Sequence, residues 1–273
     1  MESLNVKVRN ITMHVKRYNI GAEEKVVFLH GFTGSSTTWD EVITFLPSSV
    51  EILTIDLIGH GHTSKPTDFT HYYVEEQIED MHKLFQLLGW SHFTLVGYSM
   101  GGRLALAYAS KYPIDKLILE SSSPGLANEE ARVERKQADE LLAERIVKEG
   151  ISAFVDFWED IPLFHSQKSL SIEKQQAIRL ERLAGSEVGL SNSLKGFSTG
   201  IQPSYWGNLE VMKVATTLVT GELDRKFYEI ALEMKKLLPD GKHVHVSNAG
   251  HAIHVENPEL FATIVKDIIL KEE

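Results

Sequence analysis

Five consecutive residues, Gly97-Tyr98-Ser99-Met100-Gly101, place a serine between an apolar run, FTLVGY (93–98), and a helical pattern, GGRLALAYAS (101–110). Glycines two residues to either side permit a sharp strand-to-helix turn that exposes the hydroxyl, at a helix N-terminus that favours developing negative charge. A serine hydroxyl is a poor nucleophile or base at neutral pH, so it needs a histidine, and that histidine needs an acid to fix its tautomer. Of the 12 histidines, His251 in Asn248-Ala249-Gly250-His251 follows the strand-like KHVHVS (242–247), in a loop near the C-terminus where such a base belongs. His243, His245 and His254 read as structural. Asp224, after TTLVTG (216–221), lies between Ser99 and His251 in the order the arrangement requires, with Glu120 at the end of KLILES (116–121) as its rival and Glu222 close by. Asp56 reads as the tie of a turn. Two backbone N–H groups must also meet at an oxyanion: Met100, next to the serine, and Phe32, in the bent loop His30-Gly31-Phe32-Thr33-Gly34.

Positioning these residues calls for strands that end near one another. KVVFLH (25–30) is continuously apolar, as in a strand buried on both faces, and residues 4–18 alternate in two short β-type runs. EILTID (51–56) and the strands named above complete the set. Val74, Ile78, Met81, Phe85 and Leu88 recur at helical spacing up to Gly89, and further helices are expected over 101–112, 226–238 and 257–270. Alternating strands and helices argue for a mostly parallel sheet with functional groups at the strands' C-terminal ends. Residues 123–210 break the rhythm with a charged helical stretch, an aromatic-rich stretch and a Gly/Ser/Thr-dense stretch. This is expected to be an inserted helical lid on a core made of 1–122 and 211–273, with the charge run at 129–149 a solvated helix face.

Composition narrows the function. The charge of −10, from 38 acidic against 28 basic residues, disfavours nucleic acid and anionic membranes as partners. With 42% hydrophobic and 24% charged residues the chain reads as an ordinary globular protein. There is no cysteine, which excludes disulfides, thiolate metal sites and thiol catalysis. No signal peptide or membrane-spanning run is seen, so a cytoplasmic location without membrane insertion is expected. No metal-ligand spacing and no glycine-rich phosphate loop appears, so neither metal nor cofactor is expected. Oligomeric state is not legible.

The motifs His30-Gly31-Phe32, Asp56-Leu57-Ile58-Gly59-His60-Gly61, Gly97-Tyr98-Ser99-Met100-Gly101-Gly102, Gly221-Glu222-Leu223-Asp224 and Gly250-His251 resemble the α/β-hydrolase superfamily. That resemblance implies a mostly parallel eight-stranded sheet flanked by helices, with an inserted lid. Through Ser99–Arg103, Ser122–Leu126, Phe197–Trp206 and Gly221–Phe227 the chain looks most like the 2-succinyl-6-hydroxy-2,4-cyclohexadiene-1-carboxylate synthases of menaquinone biosynthesis. This likeness implies a lyase that eliminates pyruvate from a small polycarboxylate, the serine triad serving proton abstraction. It also implies substrate contacts at Tyr98, Arg103 and Lys226, and from the lid at Arg132, Trp158 and Arg182, with Arg179 competing for the last place. Arg103 lies four residues, about one helical turn, beyond Ser99, where it can face the same pocket. A serine hydrolase of esters or of carbon–carbon bonds beside a carbonyl uses the same machinery, and a non-catalytic receptor can share the fold.

Overall fold

The computed structural model describes residues 1–270; the last three residues of the expected core segment 211–273 lie outside them. Eight strands form one sheet: β1 (Glu2–Val8), β2 (Ile11–Tyr18), β3 (Glu24–Leu29), β4 (Val50–Ile55), β5 (Thr94–Tyr98), β6 (Lys116–Glu120), β7 (Ala215–Gly221) and β8 (Gly241–Val246). Their spatial order is β1-β2-β4-β3-β5-β6-β7-β8, antiparallel at β1/β2 and β2/β4 and parallel elsewhere. The helices are α1 (Asp40–Thr44), α2 (Val74–Leu88), α3 (Met100–Ala109), α4 (Glu129–Trp158), α5 (Ile172–Leu183), α6 (Glu187–Phe197), α7 (Arg225–Leu237), α8 (Ile253–Glu256) and α9 (Pro258–Leu270).

The continuous apolar runs have a simple cause. Successive side chains of a strand point to opposite faces, so a strand covered on both sides must be apolar throughout. In β3, Val27 and Leu29 join the core beneath α2 and α3, whereas Val26 and Phe28 join the opposite core with Trp39, Phe261 and Val265. Fully burying each such side chain is worth about 1.5–3 kcal/mol.

Helix boundaries follow local chemistry. Gly89 ends α2 in the left-handed conformation (φ 71°), which only a glycine adopts without a Cβ penalty. The single helix expected over 257–270 is instead preceded by a short one, α8. Asn257 (φ −144°) separates it from α9, because Pro258 clashes with a helical backbone in the residue before it.

Between β6 and β7 the described chain makes no strand, only α4 to α6, two shorter helical segments (Pro162–Ser169 and Trp206–Val211) and the loops that join them. The charged stretch at 129–149 is largely solvated, as expected, but Asp139, Ala143 and Ile146 face inward. Helix α4 continues to Trp158 after a break at Gly150 (φ 84°). Ala143, Ile146, Phe154, Val155, Leu190 and Leu194 form a small core of their own. Among the described residues no helix is long and apolar enough to cross a membrane.

Asp56 ties together the loops that follow β3 and β4. Its buried carboxylate accepts from Ser36 N at 2.6 Å, His62 N at 2.8 Å and His14 Nδ1 at 2.8 Å. Burial pushes its pKa up, but the hydrogen bonds to the charged form outweigh this and the net shift is downward. A carboxylate with a depressed folded pKa stabilises the fold fully above its unfolded value of about 3.9, and loses that contribution as pH falls through the folded value. Asp56→Asn is therefore expected to cost about 1.5–3 kcal/mol at neutral pH. Urea melts of both proteins should converge on acidification below the unfolded pKa; a gap that stays constant into that range would mean the charge is not what holds the turn.

Candidate active site

Ser99 sits between β5 and α3 with φ 49° and ψ −106°, a conformation that strains any residue with a Cβ. Three hydrogen bonds hold it there: Ser99 N donates to Glu120 O (2.9 Å), and Ser99 O accepts from Arg103 N (3.0 Å) and Ser122 Oγ (3.1 Å). The flanking glycines are required by contact. A Cβ on Gly101 would stand 2.4 Å from the carbonyl oxygens of Leu29 and His30, and one on Gly97 would stand 2.5 Å from Gly101 O.

The serine is the first member of a buried relay. His251 Nε2 lies 3.0 Å from Ser99 Oγ, and His251 Nδ1 lies 2.6 Å from Asp224 Oδ2. An ionised carboxylate only accepts, so Nδ1–H donates to Asp224 and Nε2 is left to accept from the serine hydroxyl. The imidazole is 1% exposed and contacts the rings of Phe227 (4.7 Å) and Tyr98 (5.3 Å). Asp224 itself is fixed as the cap of α7, its Oδ1 accepting from Phe227 N at 3.4 Å.

The competing acids are engaged elsewhere. Glu120, fully buried, accepts from both His254 N (3.0 Å) and His254 Nδ1 (2.9 Å). Glu222 accepts from Asn248 N (2.9 Å) on the surface. Glu256 bridges two segments, accepting from Gly250 N in the His251 loop and from Ser166 Oγ, each at 2.7 Å.

Met100 opens α3, so its N–H lies in the turn that has no intrahelical acceptor. Phe32 follows a loop held by His30, which donates Nδ1–H to Gly31 O (2.7 Å) and accepts Leu57 N–H at Nε2 (3.0 Å). Burial lowers the His30 pKa, which keeps the ring in the neutral form this pattern needs.

Above the serine opens a cavity of about 690 Å³. Phe32, Tyr98, Met100, Arg103, Trp158 and Lys226 are on its wall. Burial holds the Tyr98 hydroxyl well above its ordinary pKa, so it stays protonated. Arg103 donates to Gln202 Oε1 and to Phe197 O (2.9 Å) and lies 4.4 Å from the centre of the Phe197 ring. Among the described residues it pairs with no carboxylate. Burial, reinforced by nearby Arg135, pushes its pKa down to about 9, still leaving it charged at neutral pH.

The lid arginines are placed differently from one another. Arg132 does not line the cavity: its guanidinium turns to Glu129 and to the carbonyls of Ile201 and Gln202 (3.4 and 3.3 Å). Arg135, overlooked in the sequence and one turn further along α4, is on the wall instead, paired with Asp139 at 2.6 Å. The three-residue spacing of two arginines on one helix was the available signal. Arg182 is not on the wall of this cavity; it lies 4.6 Å from the Phe164 ring centre, bonds Gln167 Oε1 (3.0 Å), and lines a smaller adjoining cavity with Tyr98. Arg179 is held outside by Asp156 and Glu159. Ser198 and Gln202 belong to the Phe197–Trp206 segment that carries the resemblance, but nothing in the sequence assigns either a role in the site. Among the described residues no cluster of three or more histidines and carboxylates is placed to hold a metal.

Residues 25–258 match the family described as the alpha/beta hydrolase fold. A putative 2-succinyl-6-hydroxy-2,4-cyclohexadiene-1-carboxylate synthase of Bacillus subtilis (strain 168) is 43% identical over 250 residues, covering 91% of each chain. A synthase of the same name from Enterobacter sp. (strain 638) is 33% identical over 89% of this chain and 91% of its own. Among solved structures, MenH from S. aureus superposes with a TM-score of 0.88 at 38% identity, covering 92% of this chain and 96% of that one. The chain therefore belongs to the α/β-hydrolase fold family and, within it, to the family of the 2-succinyl-6-hydroxy-2,4-cyclohexadiene-1-carboxylate synthases.

Proposed function

We propose that the protein is a carbon–oxygen lyase that eliminates pyruvate from 2-succinyl-5-enolpyruvyl-6-hydroxy-3-cyclohexene-1-carboxylate, giving 2-succinyl-6-hydroxy-2,4-cyclohexadiene-1-carboxylate in menaquinone biosynthesis. The observation that carries this reading is a serine relay sharing one cavity with Arg103, a guanidinium that no described carboxylate neutralises. An acidic protein that leaves such a charge facing a cavity favours an anionic substrate there. The identity to the named synthases supports the same reading.

In this reading Ser99 is the base. His251 takes the hydroxyl proton at Nε2, Asp224 stabilises the imidazolium, and the serine oxygen removes the ring proton activated by the succinyl carbonyl. The carbonyl oxygen gains the charge and is held by the N–H groups of Phe32 and Met100. Collapse of the enolate breaks the carbon–oxygen bond to the enolpyruvyl group, which leaves as the enolate of pyruvate; Ser99 keeps the ring proton, and the proton held by His251 passes to the leaving enolate, giving pyruvate and resetting the relay. Arg103 and Lys226 hold carboxylates, while Tyr98 and Trp158 shape the wall. Residues 123–210 act as the lid that closes this cavity over a core of 1–122 and 211–273. The enzyme is read as cytoplasmic, in keeping with a chain that has no cysteine.

Assays of pyruvate release should find Ser99→Ala and His251→Ala each severely impaired, with a double mutant little worse than either, because the two act as one unit. Losses that multiply would point to independent roles. Asp224→Asn should be similarly impaired, whereas Glu120→Gln, which loosens His254, should lower stability and leave turnover by the folded enzyme near wild type. The opposite ranking moves the acid to Glu120.

Mass spectrometry of enzyme quenched during turnover should find unmodified protein, since elimination passes through no acyl-enzyme. A substrate-derived adduct on Ser99 that forms and decays at the turnover rate would favour a hydrolase mechanism.

Losing one partner of a buried charge pair costs about 2–5 kcal/mol, against about 0–1 kcal/mol for an exposed pair. Arg103→Ala should therefore lower kcat/KM by roughly thirtyfold or more, at about 1.4 kcal/mol per factor of ten. Arg103→Lys should recover only part, because it keeps the charge and loses the fork. An Arg103→Ala loss within about threefold would remove the argument for a carboxylate at this position.

A further inference from the structure

We propose that Gln202 is a positioning residue that holds Arg103 with a neutral acceptor, so that the positive charge stays available to a substrate carboxylate, and that Ser198 supplies a hydroxyl donor beside it. The inference deepens the polycarboxylate reading and rests on it.

Gln202 is 2% exposed, and its Oε1 accepts from Arg103 Nη1. A guanidinium has donors only, so the amide oxygen must be the atom turned toward it. The other groups that hold Arg103 are the Phe197 carbonyl and the Phe197 ring, which are also neutral. The nearest charges, Arg135 and Asp139, pair with each other at 2.6 Å. The guanidinium is thus oriented without being neutralised, which differs from Arg132 and Arg135 of α4, both of which have carboxylate partners.

Ser198 gives an independent observation. The residue lines the cavity and is 3% exposed, and its Oγ is buried with no hydrogen-bond partner. A buried hydroxyl left unpaired is costly, and is retained where a ligand completes it. The backbone joins the two residues, because Gln202 N donates to Ser198 O at 3.0 Å.

Charge and hydrogen bonding can be separated here. Glutamate has the shape and reach of glutamine and makes a stronger bond to an arginine, but it cancels the charge. If Gln202 were only a structural hydrogen-bond partner, Gln202→Glu would be milder than Gln202→Leu, which loses the acceptor. Under the proposal the order reverses for anion binding. The experiment titrates tricarballylate calorimetrically into the wild type and both variants, with melting temperatures and with KM and kcat for pyruvate release. Gln202→Glu should melt no lower than wild type, yet raise both the tricarballylate Kd and the KM by roughly tenfold or more, with kcat much less affected. Gln202→Leu should raise them less. Ser198→Ala should weaken tricarballylate binding severalfold while melting no lower than wild type, because it removes an unpaired group. Binding that is equal in wild type and Gln202→Glu, weaker in Gln202→Leu than in Gln202→Glu, or absent from wild type overturns the role of Gln202. A Ser198→Ala variant that binds normally overturns that of Ser198. Wild type that binds tricarballylate in the expected order but releases no pyruvate instead sinks the lyase reading and leaves this inference standing.

Discussion

A carboxylate can only accept hydrogen bonds, and the arrangement around Ser99 depends on that limitation in Asp224. Because Oδ2 of Asp224 must be met by a donor, the His251 proton resides on Nδ1, and the opposite nitrogen is left as the acceptor facing the serine. The fold supplies what this requires. The parallel strands β5, β7 and β8 end at the same edge, so Ser99, Asp224 and His251 leave the sheet as near neighbours despite the 152 residues between serine and histidine. The aromatic rings around the imidazole keep water from competing for either bond.

The same residue types recur nearby with other duties, and packing distinguishes them. Glu120 ends a strand as Asp224 nearly does, and His254 is three residues from His251, yet these two pair with each other in full burial. They pin the start of α8, and with each other as partners neither is free to compete with the relay.

How legible this was in the sequence varied with the range of the forces involved. The strands were readable because a strand buried on both faces must be apolar along its length, a constraint each short segment satisfies alone. The serine turn was readable because glycines on both sides of a serine, between an apolar run and a helical run, lie within one short segment. The lid arginines were not. Whether Arg132 or Arg135 reaches the cavity depends on how α4 is rotated against the rest of the molecule, which is settled by Asp139, Ala143 and Ile146 turning inward and by α6 packing against them. Likewise the choice between Asp224 and Glu120 rested on a histidine far along the chain. Gln202 and Ser198 carry no charge or periodicity that would single them out.

The clearance at Gly101 has a consequence for how this scaffold can change. With the carbonyls of Leu29 and His30 only 2.4 Å from where a Cβ would stand, any other residue must drive β3 and α3 apart, and with them the serine and the oxyanion loop. The turn is therefore closed to gradual mutation, since no single intermediate substitution preserves it. The cavity wall is under no such restriction: Arg103, Ser198, Gln202 and the residues of α4 meet through side-chain ends, which can be exchanged one at a time. Descendants of this chain would be free to acquire new substrates through the wall while inheriting the reactive centre unaltered.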